Sequence, residues 1–381
     1  IGIVTGTRAE YGLLMPLISA VQKDEEFSLD LIVTGTHLSE NHGYTLEQII
    51  SDGYPIAHKI PILEDDNSPF GVSCTMANAL KGFAKCFSAD RPDMVITLGD
   101  RTEMLAVAAA AMNECVPIAH IHGGEVTEGA VDDCVRHAIT KMSYLHFAGT
   151  EIYRNRIIQM GENPDRVFNV GTLGAENILS DELYSEEYVL AYLNGMKEVG
   201  GRPYAIVTFH PVTLEKDQVK DQVNALCEAM KERKDIFFII TSSNADAGAQ
   251  ITNSMLQEYA EESANAAFTM NLGMKRYLSA VKYADFVLGN SSSGILEAPI
   301  LGTPAVNIGN RQRGRLMADN IVSCKAEKSE IADAIRIAEN LPRNPTEIYG
   351  DGHASERIVS IIKNCFITGI DLKKGFYDID M

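Results

Sequence analysis

Basic residues are scarce in this chain: 33 Lys and Arg stand against 52 Asp and Glu, a formal net charge of −19. That balance argues against a surface that neutralises nucleic-acid phosphates and against electrostatic attachment to an anionic membrane. Long apolar runs are missing too. No stretch approaches the roughly 18 consecutive apolar residues of a membrane span, and no basic segment leads into an apolar one at the start. The seven cysteines, at 74, 86, 115, 134, 227, 324 and 365, are odd in number and never spaced CxxC. They suggest neither a disulfide framework nor a zinc knuckle, and a reduced, cytoplasmic setting is expected. GxGxxG, HExxH, GxSxG and a papain-like cysteine signature are all absent, so dinucleotide, zinc-protease and nucleophile-elbow readings lack support. The chain opens on Ile1 inside an expected strand, and a few residues are expected to precede it.

What the chain has is alternation. Short β-branched runs at 1–5, 29–34, 94–98, 117–121, 145–148 and 167–170 are separated by segments of helical period, and a second set follows at 204–209, 236–241, 266–270, 285–289, 304–308 and 321–324. With 381 residues, 45% of them hydrophobic, this predicts α/β architecture with parallel sheets: two Rossmann-like domains in tandem and a ligand in the cleft between them. The expected boundaries are 1–180, 181–354 across a partly helical connector at 180–203, and a C-terminal helix and tail at 355–381 packing near the junction.

Candidate chemistry gathers at the carboxyl ends of these strands. Gly6-Thr7-Arg8 is a βα turn where backbone amides and a guanidinium would suit a phosphate. Gly289-Asn290-Ser291-Ser292-Ser293-Gly294 is a second such turn, with Glu297 about one and a half turns into the following helix, able to accept from a ribose diol. Asp100 follows one strand; His120, His122 and Glu125 follow another; Asp132 and Asp133 open a helix that runs on through Arg136 and His137. Two carboxylates in one cleft can have their pKa values pushed apart, giving a base and an acid. The plainer readings are an N-cap for Asp100, dipole complements for Asp132 and Asp133, and a satisfied core residue for His120. His210 ends the first strand of the second half, and Arg311, Arg313 and Arg315 lie within five residues of each other on an otherwise acidic chain, as an anion-binding loop would.

Taken together, GTRAEYG at 6–12, GDR at 99–101, HIHGGE at 120–125, DDCVRHAITK at 132–141, HPVT at 210–213, GNSSSG at 289–294, GTPAVNIGNRQRGR at 302–315 and IYGDGHASERI at 348–358 resemble the UDP-N-acetylglucosamine 2-epimerase family, its hydrolysing branch in particular. The resemblance implies GT-B architecture, with the nucleotide held mainly by the C-terminal domain. It implies that Ser291 and Ser292 hold the diphosphate, Glu297 the ribose and Asn244 the uridine, that Arg8 and Arg311 face the phosphates, and that His210 sits near the diphosphate. Asp100 and Asp133 look like the family's acid/base carboxylates. Relatives often carry Glu where this chain has His122, so the remaining role falls to His122, to Glu125, or to both.

The implied reaction is elimination of UDP from UDP-N-acetylglucosamine to give 2-acetamidoglucal, then hydration with inversion at C2, releasing N-acetylmannosamine. No redox cofactor or metal is implied, and a homodimer or homotetramer is expected. Same-mechanism alternatives are a UDP- or GDP-linked 2,4-diacetamido-trideoxyhexose as substrate, or a non-hydrolysing epimerase. A GT-B glycosyltransferase would give no reason for Asp100, His122 and Asp133 together. A silent nucleotide-sugar sensor would not need its acid/base positions.

Overall fold

A computed structural model describes residues 1–66, 68–126, 131–180, 182–211, 218–243 and 249–379. The chain divides into two compact units, Ile1–Asn177 with Tyr349–Met381, and Ile178–Ile348. Each is built on a parallel sheet.

In the first unit the strands are β1 (Gly2–Thr5), β2 (Asp30–Thr34), β3 (Ile56–Ile60), β4 (Val95–Leu98), β5 (Ile118–Ile121), β6 (Leu145–Ala148) and β7 (Val167–Asn169), in the order β3-β2-β1-β4-β5-β6-β7. The second holds β8 (Tyr204–Thr208), β9 (Phe237–Thr241), β10 (Ala266–Thr269), β11 (Phe286–Gly289), β12 (Ala305–Ile308) and β13 (Ile321–Cys324), in the order β10-β9-β8-β11-β12-β13. Both orders are those of a Rossmann fold, reversing direction beside the first strand of each unit. Among the described residues no helix is long and apolar enough to cross a membrane.

Alternation of side chains along the strands explains why both faces of each sheet are covered. Ile3, Val33, Ile96, Ala119 and Ile121 enter one apolar cluster, while their neighbours Val4, Ile32, Val95 and Ile118 enter another. In the second unit Val207, Phe238, Ile240 and Leu288 face one way, and Ile206, Phe237, Ile239 and Val287 the other. The sequence expectation of twelve strands omits β3. That strand is an edge, pairing only with β2 across a register shift, and His58 and Lys59 interrupt its apolar pattern. Edge strands carry such charges because one side faces water.

The C-terminal helix, Ala354–Thr368, belongs to the first unit. Ile358 and Ile362 are fully buried against Leu14, Leu17 and Ile18 of the helix Arg8–Lys23. The tail beyond it is pinned by Lys374, whose Nζ lies 2.6 Å from the buried Glu162 carboxylate. Truncating Ile358 to Ala opens a cavity in this cluster and is expected to cost about 2–5 kcal/mol. Urea unfolding checks this; a cost below about 1 kcal/mol would mean the helix is only loosely docked.

Candidate active site

In an open parallel sheet, ligands sit beyond the carboxyl ends of the strands where the order reverses. In the first unit this point lies between β1 and β4, and the loops leaving it are Gly6-Thr7-Arg8 and Gly99-Asp100-Arg101. In the second it lies between β8 and β11, where the chain reads Phe209-His210 and Asn290-Ser291-Ser292. Arg8, Asp100, His210, Ser291 and Ser292 therefore stand at the two switch points, while His122, Glu125 and Asp133 follow the next strand, β5, and Arg311 follows β12.

Beyond β4 and β5, one guanidinium organises the acidic groups. Arg136, only 3% exposed, bonds the Asp100 carboxylate through Nη2 and Asp133 Oδ1 through Nη1 at 2.9 Å. The same Nη1 donates to the Glu125 carbonyl at 3.0 Å. Arg136 reaches all three because the helix Val131–Met142 places it one turn after Asp133, on the buried side. The N-cap reading of Asp100 does not hold: Arg101 occupies that position of the helix Thr102–Asn113, without a side-chain cap.

The loop bearing Asp100 is fixed from below by His120. Its Nε2 lies 2.7 Å from the Gly99 carbonyl oxygen, which can only accept, so Nε2 carries the hydrogen. Burial pulls the pKa of His120 down to about 3, and the ring stays neutral. His120 is thus a core residue that shapes the site, in keeping with its plainer reading.

His122 leaves β5 with φ +64°, an uncommon conformation for a residue with a Cβ. Its Nδ1 is 3.6 Å from Glu125 Oε1, and its Nε2 is buried with no hydrogen-bond partner among the described residues. Gly124 makes the turn possible, since a Cβ there would lie 2.3 Å from the Tyr153 carbonyl oxygen.

The turn after β1 differs from the expected open phosphate cradle. Thr7 caps the helix Arg8–Lys23, and Glu10 folds back so that Oε2 accepts from the Gly6 amide at 2.9 Å. One amide expected for phosphate is therefore already taken, while the Arg8 side chain is exposed. Burial, reinforced by neighbouring Glu103, raises the pKa of Glu10 from an ordinary 4.5 to about 7. Folding thus favours the protonated form, so its stabilisation is complete below about pH 4.5 and lost as the pH climbs through 7. Glu10→Gln removes this dependence, and its stability advantage over the wild type is expected to grow by about 2 kcal/mol between pH 5 and pH 8. Urea unfolding at the two pH values measures it; a constant difference would contradict the assignment.

In the second unit, Gly289 has φ +141°, and a Cβ there would strike the Thr208 carbonyl oxygen at 1.9 Å; glycine lets β11 close on β8. Asn290 then ties the two loops together, accepting from the His210 amide at 2.7 Å and donating to its carbonyl at 2.8 Å. Arg311 Nη1 and Gln312 Nε2 both donate to the Asn290 carbonyl, at 3.0 and 2.8 Å. Arg313 and Arg315 are exposed. Ser291 Oγ accepts from the Ser293 amide at 3.3 Å, and Tyr277 donates to Ser293 Oγ at 2.7 Å.

The helix containing Glu297 is shorter than expected, and Glu297 stands at its start instead of one and a half turns into it. Ser292–Gly294 forms a single 3-10 turn, and Glu297 opens a four-residue helix, Glu297–Ile300, ended by Gly302-Thr303-Pro304. A dipole that short contributes little, so side chains must supply the polarity. Glu297 does: its Oε2 is buried without a partner among the described residues, and burial pushes its pKa up. A ribose hydroxyl donating to that oxygen would satisfy it. Asn244 lies outside the described residues, as do Val212 and Thr213 of the HPVT segment. Among the described residues, no three His, Cys, Asp or Glu side chains gather as a metal site would need.

The profile of the UDP-N-acetylglucosamine 2-epimerase family matches residues 19–363. The chain belongs to that family. It is 39% identical to the GDP/UDP-N,N'-diacetylbacillosamine 2-epimerase (hydrolyzing) of Campylobacter jejuni over 89% of this chain and 86% of that one. It is 37% identical to polysialic acid biosynthesis protein P7 of Escherichia coli, over 99% and 96%. A crystal structure of a putative family member from Listeria monocytogenes superposes with a TM-score of 0.78 at 16% identity, covering 99% of both chains. The two Rossmann-like sheets are the pair expected of GT-B architecture.

Sequence reasoning passed over the parts of the site that act through other residues. Arg136 was legible only as a cation three positions after Asp133, and Asn290 only as one polar residue in a serine-rich turn. Their roles depend on partners 36 and 80 residues away.

Proposed function

We propose that this family member is a hydrolysing 2-epimerase that converts UDP-N-acetylglucosamine and water to N-acetylmannosamine and UDP. The observation that carries the reading is the bridging of Asp100, in the loop after β4, and Asp133, on the helix after β5, by buried Arg136. Inversion at C2 needs one group to remove a proton from one face and another to return a proton to the opposite face. Two carboxylates fixed by one guanidinium suit that task. Departure of UDP must be eased by cations and donors at the diphosphate. Arg8, Arg311, His210, Ser291 and Ser292 are assigned to it, with Glu297 on the ribose and Asn244 on the uridine.

A second reading concerns the sugar. The 39% identity to the Campylobacter jejuni enzyme favours a UDP- or GDP-linked 2,4-diacetamido-trideoxyhexose, processed in the same way. Release of free nucleotide from each of the three nucleotide sugars, followed by coupled assay, separates these. UDP from UDP-N-acetylglucosamine at the highest kcat/KM is the result expected. A preference of about tenfold or more for a diacetamido sugar replaces the first reading with the second. Absence of free nucleotide from all three, with the UDP-sugar epimerised, would identify a non-hydrolysing enzyme.

A further inference from the structure

We propose that His122 and Glu125 work as a dyad, in which His122 Nε2 is the atom that takes the C2 proton and Glu125 holds the ring through Nδ1. The inference rests on the 2-epimerase reading and divides its proton transfers: His122 removes the C2 proton in the elimination, and the Asp100 and Asp133 pair keeps the hydration step, in which a proton returns to the opposite face of C2.

Three observations converge on it. His122 Nδ1 faces Glu125 Oε1 at 3.6 Å, longer than a hydrogen bond, and catalytic contacts of this kind commonly tighten only when substrate binds. Nε2, on the far side of the ring, is buried and has no hydrogen-bond partner among the described residues. The backbone of His122 holds a left-handed φ of +64°, which a packed loop must impose. That loop is pinned on several sides: the His122 amide donates to the Phe147 carbonyl at 3.0 Å, Arg156 Nη1 donates to the Gly124 carbonyl at 2.5 Å, and Arg136 donates to the Glu125 carbonyl at 3.0 Å. Arg136 thereby ties the dyad to the carboxylate pair.

This is the logic of an imidazole oriented by a carboxylate. With Nδ1–H directed at Glu125, the neutral ring presents the Nε2 lone pair. In the elimination that lone pair takes the C2 proton, the C2–H electron pair becomes the C1=C2 bond, and the C1–O pair leaves with UDP. The resulting imidazolium stands opposite the Glu125 carboxylate and later yields its proton to solvent. Glu125 touches no reacting atom and is a positioning residue.

The test is a double-mutant cycle on UDP release, using His122→Gly because glycine accepts the left-handed φ at no cost. His122→Gly is expected to lower kcat by about 100-fold or more, and added imidazole to restore at least about tenfold of that. Glu125→Gln is expected to lower kcat by about tenfold in the wild type but by less than about twofold in His122→Gly, where there is no ring to orient. Equal costs of Glu125→Gln in the two backgrounds, or no rescue by imidazole, would overturn the dyad and leave the 2-epimerase reading standing. A wild-type enzyme that releases no nucleotide from any of the three sugars overturns that reading and the dyad's role with it.

Discussion

Arg136→Met is expected to lower kcat by about 1000-fold while leaving the affinity for UDP within about threefold of the wild type. The guanidinium is buried and holds three groups at once: the Asp100 and Asp133 carboxylates and the Glu125 carbonyl. Removing one partner of a buried charge network leaves the others unpaired, which is costlier than the network's net worth. Asp100 and Asp133 would then repel each other with nothing between them, and proton transfer fails when a reacting group is displaced by about 1 Å. UDP affinity should survive because the groups assigned to the nucleotide are mostly in the second unit. Arg136→Lys should recover little, since an ammonium is a point charge and cannot span three acceptors. Steady-state kinetics and UDP titration calorimetry read both quantities. A kcat within about threefold of the wild type would mean that Arg136 supports the fold and not the chemistry.

Asp100→Asn is the second large effect, expected to cost about 10²–10⁴ in kcat with little change in stability. The amide is isosteric and keeps an oxygen for Arg136, so the loop after β4 should stay in place, held as before by His120 on the Gly99 carbonyl. What is lost is the ability to gain and give a proton. Asp133→Asn should behave alike if both carboxylates serve at C2. Unchanged turnover in Asp100→Asn would remove it from the mechanism, and an equal loss of UDP binding would point to a structural role instead.

The fold was legible in the sequence where periodicity is strong, as in β4, β5, β8 and β9, whose near-continuous apolar runs mark strands buried on both faces. It was illegible at β3, where an edge position allows His58 and Lys59. The candidate site was legible as motifs at strand ends, because a parallel sheet presents its loops for ligands there. Illegible were the relations among them. Glu10 turning back onto the Gly6 amide, and Glu297 opening a four-residue helix, are outcomes of local packing that spacing does not encode. His120 and His122, two residues apart on one strand and its exit, have opposite characters: one is hydrogen-bonded in the core, the other has an orphaned nitrogen. Composition alone would treat them alike. The deficit of basic residues likewise becomes specific: of the arginines assigned to the proposed site, Arg136 is buried and Arg311 half-buried, both hydrogen-bonded, while Arg8 is exposed.

The most direct measurement is proton NMR of the enzyme with UDP-N-acetylglucosamine in D2O. Free N-acetylmannosamine bearing deuterium at C2, with one UDP per sugar released, is the outcome required by removal and return of the C2 proton with loss of UDP. N-acetylmannosamine that keeps its original C2 hydrogen, or a UDP-sugar that persists with C2 epimerised, would contradict it.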